Sequence, residues 1–81
     1  MVNNSLENLK FGNDTLTGNG SFVIPNTSEY NYGIAICSDN NNVNVMRVFN
    51  NGSNMVIYCR NYDGTNMTDT ITRKFNYVLW K

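Results

Sequence analysis

Asn51-Gly52 stands between two runs rich in apolar residues, Val43-Asn-Val-Met-Arg-Val-Phe-Asn50 and Ser53-Asn-Met-Val-Ile-Tyr-Cys-Arg60. Asn-Gly is the strongest short-range hairpin signal, because both central positions of a two-residue turn need a positive φ that few residues tolerate. The expected register pairs Asn50 with Ser53, Val48 with Met55, Met46 with Ile57 and Asn44 with Cys59. Side chains alternate between faces along a strand. One face then carries Met46, Val48, Met55, Ile57 and Cys59 as a core stripe. The other carries Val43, Val45, Arg47, Phe49, Val56, Tyr58 and Arg60. That second face is too apolar for open water and still holds two arginines. It suits a partner surface, where Arg stems cover apolar area while their heads find hydrogen bonds. A three-residue loop, Asn50-Asn51-Gly52, would add a bulge and change the facing.

The same punctuation recurs along the chain. Gly12-Asn13-Asp14, Pro25-Asn26-Thr27-Ser28, Asp39-Asn40-Asn41-Asn42 and Asp63-Gly64 separate short runs with strand character. The spacing predicts strands near residues 6–11, 20–24, 30–37, 43–50, 53–61, 67–74 and 75–81, with Asp63-Gly64 folding the chain back into a three-stranded meander. Closely spaced short strands argue for an all-β sandwich or barrel. No segment keeps a helical period over ten residues. Asparagine supplies 17 of the 81 residues, lysine only three. Asparagine tolerates left-handed backbone and caps its own chain, so Asn13, Asn26 and Asn51 read as turn chemistry. The run Asn40-Asn41-Asn42 exceeds what one turn needs. The apolar segment at residues 75–81 is expected to be tied into a sheet.

Eighty-one residues make a single domain, 1–81, with 1–13 as an alternative lead-in segment. Hydrophobic residues at 41% and aromatics at 12% are too many for a disordered tract. Six basic and six acidic residues cancel, and the basic ones are scattered, which argues against nucleic acid and anionic membranes as partners. No apolar run is long enough for a transmembrane segment, and no basic start and apolar run mark a signal peptide, so another export route or an excised C-terminal piece is expected. A core this small needs support. Cys37 and Cys59 allow at most one bridge and are expected as reduced thiols. With no histidine, a Cys/His zinc site and a His-activated cysteine are both excluded. Oligomerisation is the support that remains.

No catalytic signature stands out, so a non-enzymatic protein without cofactor or metal is expected. Glu7, Asp14, Glu29, Asp39, Asp63 and Asp69 lie mostly at expected turns, where they cap backbone, and paired glycosidase acids need a cleft that so small a domain lacks. The 39–44 stretch lacks the central glycine and distal glutamate of a calcium loop. Six Asn-x-Ser/Thr sequons follow from composition. Sugar-binding surfaces combine an aromatic platform with amide and carboxylate hydrogen-bonders. By loop position the ligand-binding candidates are Asp39, Asn40, Asn41, Asn42, Tyr62 and Asp63. The candidate subunit interface is Val45, Arg47, Phe49, Val56, Tyr58, Arg60 and Trp80.

Three segments occur in a suggestive order: Leu16-Thr-Gly-Asn-Gly-Ser-Phe-Val-Ile-Pro25, Tyr30-Asn-Tyr-Gly-Ile-Ala-Ile-Cys37, and Asp69-Thr-Ile-Thr-Arg-Lys-Phe-Asn-Tyr-Val-Leu-Trp80. This order resembles the C-terminal head domains of bacteriophage tail fibres and receptor-binding proteins, over roughly residues 14–81. The resemblance implies a small antiparallel, jelly-roll-like β-sandwich of about seven strands, homotrimeric, at the fibre tip of a virion. It implies binding to a bacterial surface glycan or protein, with 1–13 leading in from a fibre shaft. The alternatives are a structural trimerisation module of the fibre and a monomeric carbohydrate-binding module of a secreted bacterial protein.

Overall fold

The computed structural model describes residues 8–38 and 44–81. Within them run six strands: β1 (Leu9–Thr17), β2 (Ser21–Ile24), β3 (Tyr32–Cys37), β4 (Asn44–Asn50), β5 (Met55–Asn61) and β6 (Thr72–Trp80). They form two antiparallel three-stranded sheets, β1-β6-β3 and β2-β5-β4, called sheets A and B below. The described residues contain no helix, so the protein is all-β as the turn spacing requires.

β4 and β5 form the expected hairpin with a longer connection. Asn50 pairs with Met55, Val48 with Ile57, Met46 with Cys59 and Asn44 with Asn61, which leaves residues 51–54 as a four-residue loop. The register is thus displaced by two residues from the two-residue turn, and an even displacement preserves the facing. The core stripe Met46, Val48, Met55, Ile57 and Cys59 stands unchanged. Side chains explain the longer loop. The Asn51 carboxamide oxygen accepts from the N–H groups of Ser53 and Asn54, both at 2.9 Å, and the Asn51 N–H donates to the Asn54 carbonyl at 3.0 Å. Only Gly52 of this loop takes a positive φ. The Asn50 amide donates to the carbonyls of Ser28 and Tyr30, and the Asn54 carboxamide oxygen accepts from Thr27 N–H. Asparagines therefore bind the β4–β5 loop to the β2–β3 connection.

Two expected boundaries are corrected. Gly12-Asn13-Asp14 is the middle of β1, paired with Tyr77, Asn76 and Phe75 of β6. Gly12 serves close approach there: a Cβ would fall 2.7 Å from Tyr77 Cε2, inside the ring's own volume. Asn13 accordingly sits in a strand, whereas Asn26 does occupy a left-handed position, at φ 60°. The expected strands 67–74 and 75–81 are replaced by the single strand β6, with residues 67–71 outside it. Asp63-Gly64 does turn the chain, but the expected meander stops at one bridge between Arg60 and Asn66. Asp69 ends the return by accepting from Ile71 N–H at 3.0 Å. β6 becomes the central strand of sheet A, so the apolar terminal segment is tied in as expected.

The inner faces of the two sheets enclose one core of Leu16, Ile24, Ala35, Met55, Ile57, Cys59, Met67, Phe75 and Leu79. Phe22 meets Phe75 edge-on at 5.9 Å, a favoured aromatic geometry. On β3 the alternation is inverted from habit. Gly33, Ala35 and Cys37 pair with the inward Leu79, Tyr77 and Phe75, while Tyr32, Ile34 and Ile36 point outward. Space dictates this. A Cβ at Gly33 would stand 2.6 Å from Val48 Cγ1 and 2.7 Å from Leu79 Cδ2.

Candidate functional site

The ends of β1, β3 and β5 and the starts of β2, β4 and β6 meet at one end of the two sheets, so the 18–20 and 62–71 connections lie together there. Asp39, Asn40, Asn41 and Asn42 lie outside the described residues. The segment that carries them joins Ser38, whose N–H donates to the Lys74 carbonyl, to Asn44, which pairs with Asn61. Tyr62 and Asp63 follow Asn61 directly. The fold thus brings Tyr62 and Asp63 to the end of the sheets where β3 stops and β4 starts.

Tyr62 is 67% exposed, on a turn closed by its own side chains. Asp63 Oδ1 accepts from Thr65 N–H at 3.0 Å and from the Thr65 hydroxyl at 2.6 Å. The Asn61 amide donates to Thr65 Oγ1 and to the Asn66 carbonyl, both at 3.0 Å. The Thr65 hydroxyl and N–H hold the Asp63 carboxyl below the usual carboxylate range. Asp63 is therefore a turn-capping carboxylate that stiffens the segment presenting Tyr62.

Beneath these loops the core is closed by an arginine that composition alone did not single out. Arg73 is 1% exposed and points inward from β6. Its Nη2 lies 2.8 Å from Asp69 Oδ2 and its Nη1 donates to Asp69 Oδ1 at 3.1 Å, a two-pronged pair. Arg73 and the Ile71 N–H depress the Asp69 carboxyl, and Asp69 in turn raises the guanidinium further. Burial pushes the neighbouring Cys59 thiol up, against the opposing field of Arg73. The spacing Asp69-Thr-Ile-Thr-Arg73 was visible, but only the loop that brings the chain back under its own carboxylate makes it a pair.

The seven candidate interface residues do not share one surface. Val45, Arg47, Phe49, Val56, Tyr58 and Arg60 face outward from sheet B, whereas Trp80 faces outward from sheet A, stacked on Tyr32 at 5.9 Å and 21°. The sheet B face is partly covered from within the chain. Arg60 lies over the Tyr58 ring at 4.1 Å and donates to Asn19 and to the Cys59 carbonyl, Phe49 meets Tyr58 edge-on, and Val56 is buried. The Arg60 head thus finds partners at home.

Among the described residues the outer face of sheet A is the larger bare apolar surface, and sequence reading missed it. Phe11, Tyr32, Ile34 and Ile36 are 68%, 56%, 53% and 66% exposed. Register places Phe11 and Ile34 on either side of Val78, and Leu9 and Tyr32 on either side of Trp80. A shallow depression of about 300 Å³ runs between Phe11, Ile34, Ile36, Asn76, Tyr77 and Val78. Toward the loop end the same face turns polar through Asn13, Asn76, Thr15 and Lys74. The signal was the alternation of Tyr32-Gly-Ile-Ala-Ile-Cys37, in which small residues take every second place. Among the described residues no three Cys, Asp or Glu side chains gather as a metal site. No family model, no curated protein and no solved structure matches the chain.

Proposed function

We propose that this chain is a non-enzymatic host-recognition domain from the tip of a bacteriophage tail fibre, binding a bacterial surface glycan or protein as a homotrimer of reduced, jelly-roll-like sandwiches. The observation that carries the reading is the meeting of the 18–20 and 62–71 connections with the end of β3 and the start of β4 at one end, with exposed Tyr62 on a turn stiffened by Asn61, Asp63 and Thr65. Recognition on loops held by a rigid scaffold is a recurrent arrangement. Tyr62 offers a ring for the apolar face of a sugar. Asn40, Asn41 and Asn42 add neutral amides, each a donor and an acceptor for hydroxyl groups. The segments that resemble tail-fibre heads fall on the end of β1 with β2, on β3, and on β6. Individual sites of this kind are weak, and three copies per head supply avidity.

The test measures binding of the fluorescently labelled protein to a panel of bacterial cells, with mass in solution measured alongside. Tyr62→Ala, and Asn40→Ala with Asn41→Ala, are expected to lower cell binding by about tenfold or more at unchanged mass, a loss of about 1.4 kcal/mol. Unchanged binding in both variants overturns recognition through this end. The second reading, a structural trimerisation module of the fibre, is favoured by the bare apolar face of sheet A. It predicts unchanged binding together with loss of assembly when that face is altered.

A further inference from the structure

We propose that the outer face of sheet A is the contact surface between copies of this chain, the Phe11, Ile34 and Val78 of each copy packing against the same residues of its neighbours around a common three-fold axis. This deepens the homotrimer reading above by naming the surface, and it displaces the sheet B residues from that role.

Four features carry the choice. The first is the direction in which β3 spends its side chains. Tyr32, Ile34 and Ile36 go outward while Gly33, Ala35 and Cys37 go inward, so the apolar bulk of this strand lies on the side away from its own core. A strand with one solvated face ordinarily shows the reverse pattern. The second is area. The side chains of Phe11, Tyr32, Ile34, Ile36, Val78 and Trp80 leave on the order of 500 Å² bare per copy, the upper end of what a monomer exposes. Two such faces together reach the roughly 1,000 Å² above which specific association is expected.

The third is charge. On sheet A the centre of the face holds no charged residue, Lys74 sits toward the loop end, and the chain as a whole has formal net charge +0. Like meets like there at no electrostatic cost. The outer face of sheet B carries Arg47 and Arg60, which a copy-on-copy contact would set against their own kind. The fourth is the stacked Tyr32–Trp80 pair at the border of the patch, since tyrosine and tryptophan are enriched where a surface is covered by a partner. The core of nine buried apolar side chains is small, and this contact supplies the burial that it lacks.

The experiment is sedimentation equilibrium on the whole chain at micromolar concentration, comparing wild type, Ile34→Lys, Phe11→Ser and Val23→Lys. Ile34 and Phe11 are exposed on sheet A and Val23 is exposed on sheet B, so each variant spares the core, and circular dichroism verifies the fold. The wild type is expected at three times 9.2 kDa. Ile34→Lys should weaken association at least a hundredfold, Phe11→Ser should weaken it in the same direction, and Val23→Lys should leave it unchanged. Should Ile34→Lys fail to fold, Phe11→Ser on the edge strand β1 decides. Association that survives both sheet A variants overturns the proposal. So does a wild type that sediments at 9.2 kDa. Dissociation by Val23→Lys alone moves the contact to sheet B and leaves the host-recognition reading intact. Loss of cell binding in Tyr62→Ala tests that reading separately, because Tyr62 lies outside both sheet faces.

Discussion

Replacing Thr27 by valine should be the most damaging isosteric change in this protein. Thr27 is fully buried between β2 and β5. Its hydroxyl donates to the Ile24 carbonyl and accepts from the Met55 N–H at 2.7 Å, so one oxygen satisfies the last carbonyl of β2 and the first amide of β5. Valine keeps the volume and deletes both bonds. Orphaning a buried donor and a buried acceptor costs about 2–4 kcal/mol together, after the small gain from the added methyl. A domain of this size has a total stability on the order of 4–12 kcal/mol. At roughly 4–8 °C per kcal/mol, the melting temperature should fall by about 8–32 °C. Thr27→Ser keeps both bonds and loses one methyl, about 1 kcal/mol. Differential scanning calorimetry should rank wild type above Ser above Val, and the Met55 amide should lose hydrogen-exchange protection in Val alone. A valine variant at least as stable as the serine one would refute the assignment of the hydroxyl as the joint between these strands.

Gly33→Ala should destabilise by about 1–3 kcal/mol through overpacking, since its Cβ meets Val48 at 2.6 Å and Leu79 at 2.7 Å. Val48→Ala in the same chain should recover part of the loss in a thermal-denaturation double-mutant cycle, and additive losses would contradict the contact. Stability should be level near neutrality and fall on both sides. On the acid side, Asp69 (held down by Arg73) and Asp63 (held down by Thr65) have folded-state values below their unfolded ones. Their contribution is complete above the ordinary carboxylate value near 4 and is lost as pH drops below it. On the alkaline side, burial raises Cys59 and, with help from Asp14, Tyr77. Their contribution is complete below the ordinary thiol and phenol values, roughly 8.5 and 10, and is lost as pH rises through the folded ones. Urea midpoints across pH read this directly, and Asp69→Asn should flatten the acid limb; an unchanged limb would exclude the Asp69–Arg73 pair as its source.

Much of this architecture is written locally. The β4–β5 hairpin follows from Asn51-Gly52 and two alternating runs, and its core stripe survives a two-residue error in register because faces repeat every second residue. The turn at Asp63-Gly64 and the strand character of residues 20–24, 30–37 and 75–81 are equally local, as is the capping role of Asn51. What local pattern could not give was any property that depends on which strands become neighbours. Gly12-Asn13-Asp14 reads as a turn in isolation and becomes a strand because β6 runs beside it and the Tyr77 ring fills the space above Gly12. Residues 67–71 carry β-branched threonines and still leave the sheet, because Asp69 turns the chain to meet Arg73. The choice of bare surface is the clearest case. The alternation of β3 shows that Tyr32, Ile34 and Ile36 share one face, but either face is compatible with that pattern. Only the approach of β4, which leaves no room for a side chain at Gly33 beside Val48, turns the large residues outward and makes the outer side of sheet A the barer apolar face. Turn chemistry is a property of a few consecutive residues, whereas facing is decided by the volume that distant strands leave behind.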